Sequence, residues 1–331
     1  MNNCKNMVSE LKCSYSTLSA DELMTKVLPE YLIDTPLECK FWERGANDTY
    51  QVRCTHASYF LRVYRHGAFP REANEFEAEA LSYLHQRGCS VAYPIARKSG
   101  GYLTEIMAPE GLRFVLLTSQ AEGSAPDYDS AESCRLVGQS VAQLHVASNG
   151  FTTSHKRIRL DLLGLLENSM ADIRKHIAHR PDALGTIERI AKDARTAVQA
   201  VPVESLDTGI CHGDLHGGNL YVHDGKVTHF DFEECAFGYR VYDLATFKWG
   251  SCIGSDERRA KRWPVFLEGY ESIRPLSDSE HSLVDTFVVI RELAETAYGI
   301  RHIHDFGHND IMASDIDHVC FRLNKMLSGD S

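Results

Sequence analysis

The densest group of chemically capable side chains lies in the stretch CHGDLHGGNLYVHDGKVTHFDFEE, residues 211–234. Ile210 and Cys211 close an apolar run, and His212-Gly213-Asp214 turns sharply out of it, which predicts Asp214 exposed at a strand end. Five residues on, Asn219 opens a second apolar run at 220–223. Asp224-Gly225 is a two-residue hairpin signal, because both residues tolerate positive φ. The return strand 226–230 then delivers Asp231 to the end from which Asn219 set out. An acid, an amide and a second acid meeting at one point make a hard-oxygen site. Such a site suits Mg²⁺, which takes few protein ligands and fills its shell with water and substrate phosphates. On this reading Asn219 and Asp231 hold the metal, and Asp214 is left to receive a proton from an attacking hydroxyl. That is the arrangement phosphoryl transfer needs: positioning plus neutralisation of phosphate charge. His212 and His216, in H-x-D-x-H, also permit a metal-hydrolase reading, but the stretch lacks the further His and carboxylates such a centre requires. His212 is expected to be structural, packing or bonding the loop backbone.

Elements on both sides must position this segment. Residues 37–42, 50–55 and 58–64 alternate or cluster β-branched and aromatic residues between turn signals at 45–48 and 56–57, which predicts an antiparallel meander. A short helix over 21–32 precedes it. At 70–87 the period changes: Phe76, Ala80, Leu81 and Leu84 recur at helical steps, and Gly88 ends the run. Strands are expected at 101–107 and 113–117, and a polar linker at 120–127. Helices follow at 130–147, 160–179, 182–201, 241–249, 255–273, 277–303 and 313–327. Strands and helices segregate in this way in α+β folds, not in doubly wound parallel sheets. Three divisions result: a tail (1–20), a strand-rich lobe (21–118) and a mostly helical lobe (119–331).

Composition limits the alternatives. With 331 residues the chain is long for one compact core. A net charge of −11 disfavours nucleic acid, whose affinity comes largely from phosphate neutralisation by Lys and Arg. Ten cysteines at uneven spacing, with no Cys-x-x-Cys pair, are expected to be reduced and packed. No signal-peptide pattern opens the sequence and no run approaches the ~18 apolar residues of a membrane span. The expected location is therefore cytoplasmic, with no membrane partner. His302, His304 and His308 read as a solvated helix end. No signal of oligomeric state is present.

HGDLHGGN followed by FDFE, and then YDLA at 242–245, resembles the aminoglycoside phosphotransferase and homoserine-kinase-like (type II) group of the protein-kinase-like fold. VAQLH at 141–145 resembles the A-x-L-H of that family's first C-lobe helix, and GYE…RPL at 269–276 with the following VVIREL fits the homoserine-kinase-like subgroup. The likeness covers roughly residues 35–305. It implies a bilobal α+β kinase-like fold, with Asp214 as catalytic base, Asn219 and the bridging Asp231 as magnesium ligands, and Asp243 as the buried helix acid that braces the catalytic loop. It also implies ATP as phosphate donor, with GTP as the alternative.

A kinase-like first lobe needs a loop over the phosphates, a cation on them and an acid to orient that cation. The loop expected is Arg44–Tyr50 in sequence, with Asn47 and Thr49 adding side-chain donors; it has one glycine. The family's usual lysine position in YFLRVYR is filled by Arg62, which keeps the charge but grips phosphate with a different geometry. Glu77 shares the inward stripe of the 70–87 helix with Leu81 and Leu84 and is chosen as the acid over Glu75 and Glu79. Thr118 to Gln120 should form the hinge whose backbone holds adenine.

The acceptor should be a small-molecule hydroxyl compound: an amino alcohol, hydroxy amino acid, aminoglycoside or sugar. Candidate contacts are Asp127, Tyr128, Tyr239, Arg240, Trp249, Arg291 and Glu295. Arg291 and Glu295, one helical turn apart, would supply one cation and one anion. Only about eleven residues separate Asp231 from Tyr242, a short platform for a polypeptide. The alternatives are a stress-response protein Ser/Thr kinase and a catalytically weak nucleotide-binding regulator.

Overall fold

The computed structural model describes residues 11–252, 257–307 and 315–328. Two compact units result. One comprises the described residues up to Ala78 together with Tyr93–Gln120; the other comprises Glu79–Ala92 and the described residues from Ala121 onward.

The first unit is built on a five-stranded antiparallel sheet: β1 (Pro36–Arg44), β2 (Asp48–Cys54), β3 (Ser58–Val63), β4 (Leu103–Ala108) and β5 (Gly111–Ser119), in the order β1-β2-β3-β5-β4. Strand alternation sorts the two faces. Tyr50 and Val52, Leu61 and Val63, and Val115 and Leu117 pack against Leu23, Val27, Leu28 and Tyr31 from helix α1 (Ala20–Lys26) and the turn after it. The predicted helix over 21–32 is thus a seven-residue helix followed by a 3₁₀ turn at Leu28–Glu30, because Pro29 has no N–H to continue the ladder. On the other face Arg62 stands opposite Thr49 in the β2–β3 register and opposite Leu116 in the β3–β5 register. Helix α2 (Arg71–Gln86) starts in this unit and ends in the second.

The segment ahead of α1, read from sequence as a tail, is bonded to this unit. Ser16 donates its N–H and hydroxyl to Glu110, and its carbonyl accepts from the buried Arg113. Tyr50 donates its hydroxyl to Leu18 O, and Arg44, Arg65 and Arg113 all face the Tyr15 ring.

The second unit is mostly helical: α3 (Ala131–Ala147), α4 (Asn168–His176), α5 (Pro181–Gln199), α6 (Val241–Phe247), α7 (Glu257–Glu271), α8 (Asp278–Arg301), α9 (Ile303–Phe306) and α10 (Ile316–Ser328). Helix α8 is the buried axis. Its Leu283, Phe287, Ile290 and Leu293 sit in a core shared with α4, α5, α6 and α10. Ser277 and Glu280 form a reciprocal capping box that fixes where α8 begins. Two π-helical stretches, Leu162–Glu167 and Lys248–Cys252, stand where plain helix was expected.

Two short ribbons carry the polar segment. β6 (Thr208–Cys211) pairs with β9 (Ala236–Tyr239), and β7 (Leu220–His223) pairs with β8 (Lys226–His229). The β7–β8 turn is the Asp-Gly hairpin the sequence predicts, with φ of 47° at Asp224 and 73° at Gly225. β9 was not foreseen: four residues around Gly238 are too few to show an alternating pattern. His302 bonds Asp305, while His308 lies outside the described residues.

Candidate active site

Within the second unit, β6 ends at Cys211 and the chain turns through His212 and Gly213 to Asp214. Gly213 has φ of 86°, and a Cβ there would lie 2.2 Å from Glu234 O, so the turn excludes any larger residue. Asp243, fully buried on α6, accepts the His212 N–H at 2.7 Å and the Gly213 N–H at 2.9 Å. His145 on α3 bonds the same carboxylate at 3.0 Å and receives Tyr270 at its other nitrogen. Burial pushes the His145 imidazole down, so the ring is neutral: Nε2–H donates to Asp243 and Nδ1 accepts from Tyr270. The turn is thus held by an acid that is itself held. His212 is structural in its contacts: Nε2 donates to Phe230 O and the ring lies 4.2 Å from that of Phe232.

Further along, Gly217 is clamped on both sides. Its N–H donates to Ser251 Oγ on the second π stretch, and its carbonyl accepts from Tyr128 Oη. Asn219 returns its amide Nδ2 to Asp214, at 2.9 Å from the main-chain oxygen and 3.2 Å from Oδ2. That leaves the amide Oδ1 for a cation. Phe230 N–H donates to Asn219 O, which brings Asp231 beside Asn219 at the open end of the hairpin. Asp231 has φ of 65°, the left-handed region, which Asp tolerates better than most residues. Its charge acts on His216 in the loop before β7. The Asp214 and Asn219 side chains therefore meet, and the hairpin backbone brings Asp231 next to Asn219.

Asp214 is three-quarters buried, at 24% side-chain exposure, and still ionised. Burial alone would raise its carboxyl, but Arg291 first, then the His216 and His212 rings, hold it below the ordinary range. Arg291 on α8 bonds Asp214 Oδ1 at 2.5 Å and Glu295 Oε1 at 2.9 Å. Burial raises the Glu295 and Glu234 carboxyls, and the charge on Asp214 adds to the rise in both, against the pull of Arg291 on Glu295 and of Arg157 on Glu234.

In the first unit Arg62 Nη1 donates to Glu77 Oε1 at 2.8 Å, and Tyr64 Oη donates to Glu77 Oε2 at 2.7 Å. The rivals are engaged elsewhere: Glu75 pairs with Arg71, and Glu79 accepts from Thr153. Thr49 shares the Arg62 face. Asn47 is turned inward, its Oδ1 accepting Arg65 N–H at 2.8 Å, so it ties the β1–β2 turn to the chain after β3. At the end of β5, Thr118 Oγ1 donates to Phe60 O, Gln120 N–H donates to Ser58 O, and Gln120 Oε1 accepts from Gln51.

Three expected acceptor contacts are not brought to Asp214. Arg240 is 2% exposed and bonds Asp207, Ser148 and Asn149, inside the unit's framework. Tyr239 pairs with Thr208 at the far end of the β6–β9 ribbon and lines a cavity of about 570 Å³ with Asp161, Asp207 and Glu280. Asp127 is exposed and accepts Asp129 N–H in the turn before α3. In each case sequence order near the motif was a poor guide, because a strand or turn directed the side chain away. Tyr128 and Trp249 support the site: Tyr128 clamps Gly217, and the Trp249 ring lies 5.3 Å from the Arg291 guanidinium. Glu234 and Ser251 were missed. Glu234 stood in the motif's own FDFEE run, whereas nothing local marks Ser251 as a loop clamp.

A strand-rich unit with an Arg–Glu pair and a helical unit with this loop and hairpin define a kinase-like phosphotransferase. The chain belongs to the phosphotransferase enzyme family, whose model matches residues 39–276. A Synechocystis protein of uncharacterised function is 33% identical over 289 residues, 86% of this chain and 77% of that protein. A homoserine kinase of Xanthobacter autotrophicus is 27% identical over 241 residues, 71% of this chain and 70% of its own length. Among solved structures, a microcompartment-associated aminopropanol kinase superposes with a TM-score of 0.76 at 21% identity, covering 94% of this chain and 98% of that one. An amicoumacin kinase in complex with AMP-PNP, Ca²⁺ and Ami gives 0.76 at 17% identity, covering 93% and 94%. Both share the fold. Among the described residues, no helix is long and apolar enough to cross a membrane.

Proposed function

We propose that this protein transfers the γ-phosphate of ATP, with Mg²⁺, to the hydroxyl of a small acceptor that also carries an amine. The observation that carries the reading is the Asp214–Asn219 pair: one amide nitrogen fixes the acid while the amide oxygen stays available. Asn219 Oδ1 and the Asp231 carboxylate are hard oxygen donors of the kind Mg²⁺ takes. When bound there, the metal supplies charge neutralisation for the transferring phosphoryl group.

The chain's own residues do the rest. Arg62, oriented by Glu77, is the cation for the nucleotide phosphates. Asp214 Oδ1 is held by the short bond from Arg291 and Oδ2 by the longer 3.2 Å bond from Asn219 Nδ2, so Oδ2 is the atom that receives the acceptor's hydroxyl proton. The depressed Asp214 makes a weak base, suited to orienting a hydroxyl and taking its proton late in the transfer. Glu295 and Glu234 are the groups that an acceptor ammonium would neutralise, since each now bears the charge of Asp214 as well as its own burial. The matched homoserine and aminopropanol kinases, by their names, act on acceptors of this chemistry.

The test is a coupled ADP-release screen with MgATP over homoserine and other hydroxy amino acids, 1-amino-2-propanol, choline, aminoglycosides and sugars. Turnover should appear with an amine-bearing alcohol and fall about 10³-fold in Asp214→Asn, with nucleotide affinity kept. Phosphate transfer to protein in place of every small acceptor would refute the reading.

A further inference from the structure

The sequence offered Arg291 as the acceptor's cationic contact, and its surroundings argue for a different task. A guanidinium has five N–H donors. In Arg291, Nη1 serves Gly213 O and Tyr242 Oη, each at 3.1 Å. Nη2 serves Asp214 Oδ1 and Glu295 Oε1. Only Nε–H is left, and among the described residues it is buried without a hydrogen-bond partner. The side chain is 6% exposed. Its guanidinium carbon lies over two aromatic rings, 5.3 Å from the Trp249 centroid and 6.0 Å from the Tyr242 centroid. Trp249 is fixed in turn: its Nε1–H donates to Glu292 Oε2 at 2.7 Å, and Arg322 of α10 bonds the same oxygen at 2.8 Å.

We infer that Arg291 is the positioning residue of the base: it sets the Asp214 carboxylate from α8, by one bond to its side chain and one to the Gly213 carbonyl before it, and leaves acceptor binding to other groups. The inference rests on the assignment of Asp214 as base. Two bonds from one planar group to consecutive residues fix both the loop's path and the carboxylate's rotation, which one ammonium could not do. Lysine presents its donors from a single point, whereas here the Gly213 and Tyr242 oxygens lie on one nitrogen and the two carboxylates on the other.

The experiment measures kcat and acceptor KM with MgATP and, as probes, homoserine and 1-amino-2-propanol. In Arg291→Met kcat should fall about 100-fold or more with acceptor KM within about threefold, because misplacement of a reacting group costs turnover before binding. Arg291→Lys should be intermediate. Tyr242→Phe removes one of the four bonds and should lower kcat about two- to tenfold, again at constant KM, so a poorly folding Met variant does not remove the test. A KM rise of tenfold or more at unchanged kcat would make Arg291 an acceptor ligand and overturn the inference, as would unchanged kcat in Arg291→Lys and Tyr242→Phe together. A crystal structure of Arg291→Lys gives a readout that needs no turnover. A shifted Asp214 carboxylate supports positioning, and an unmoved one refutes it. Absence of wild-type turnover with all acceptors would instead count against the proposed function.

Discussion

Replacing Asp243 by alanine should destabilise the helical unit by about 3–5 kcal/mol. The magnitude follows from what the side chain holds. Asp243 is 0% exposed and accepts three bonds: His212 N–H at 2.7 Å, Gly213 N–H at 2.9 Å and His145 at 3.0 Å. Alanine leaves all three donors buried without an acceptor. Each orphaned buried donor costs about 1–3 kcal/mol, and they share one cavity, so the sum is less than three full penalties. Asp243→Asn keeps one acceptor but turns an amide toward a donor, and should cost about 2 kcal/mol. Thr246→Ala, one turn further along α6, is the control: it removes one hydroxyl bond to Tyr242 O and should cost about 1 kcal/mol. Urea unfolding followed by circular dichroism measures all three. A loss below about 1 kcal/mol for Asp243→Ala, or one equal to the Thr246 control, would show that the loop does not depend on this carboxylate. The ADP-release assay on the same proteins should show turnover falling in the same order.

Two other perturbations follow from the ion-pair networks. Glu77→Ala removes the carboxylate to which both Arg62 and Tyr64 donate, so the KM for ATP should rise about tenfold while acceptor KM is kept; an unchanged nucleotide KM would show that Arg62 needs no orienting acid. Asp207 sits between Arg240 and Arg274, where burial raises its carboxyl but the two guanidiniums outweigh it and hold it below the ordinary 3.8. A depressed carboxyl adds stability that is complete above its unfolded pKa and is lost as pH falls through the folded value. The stability gap between wild type and Asp207→Asn should therefore be constant near neutrality and shrink below about pH 4, and a gap that widens in acid would refute the pairing.

Spacing made the proposed reacting group legible. Asp214, Asn219 and Asp231 are linked by a turn and a two-residue hairpin, and so short a path leaves little freedom in where their side chains meet. Glu77 was legible for a similar reason: helical period places it on the buried stripe, and the structure finds Arg62 there at 2.8 Å. Where a residue's partners are distant in sequence, local pattern carried no information. Arg240 looked available beside the motif but is buried by Asp207, Ser148 and Asn149, up to 92 residues away. Asn47 also closes the β1–β2 turn onto Arg65 through Oδ1, a contact that local pattern did not show. β9 was hidden by its length, and the π stretches by the absence of any residue pattern that separates them from α-helix.

By itself the sequence determined the class of fold and singled out the residues proposed as base and metal ligands and the brace on α6, because hydrophobic period, turn chemistry and short-range spacing are properties of neighbours along the chain. Only the tertiary structure decided which groups Arg291 bonds. Its four bonds go to Gly213, Asp214, Tyr242 and Glu295, and three of these lie between 49 and 78 residues away. A guanidinium can serve an acceptor or a base with the same atoms. Which one it serves depends on the donors left over after packing, and that count exists only once α8 has docked against the loop.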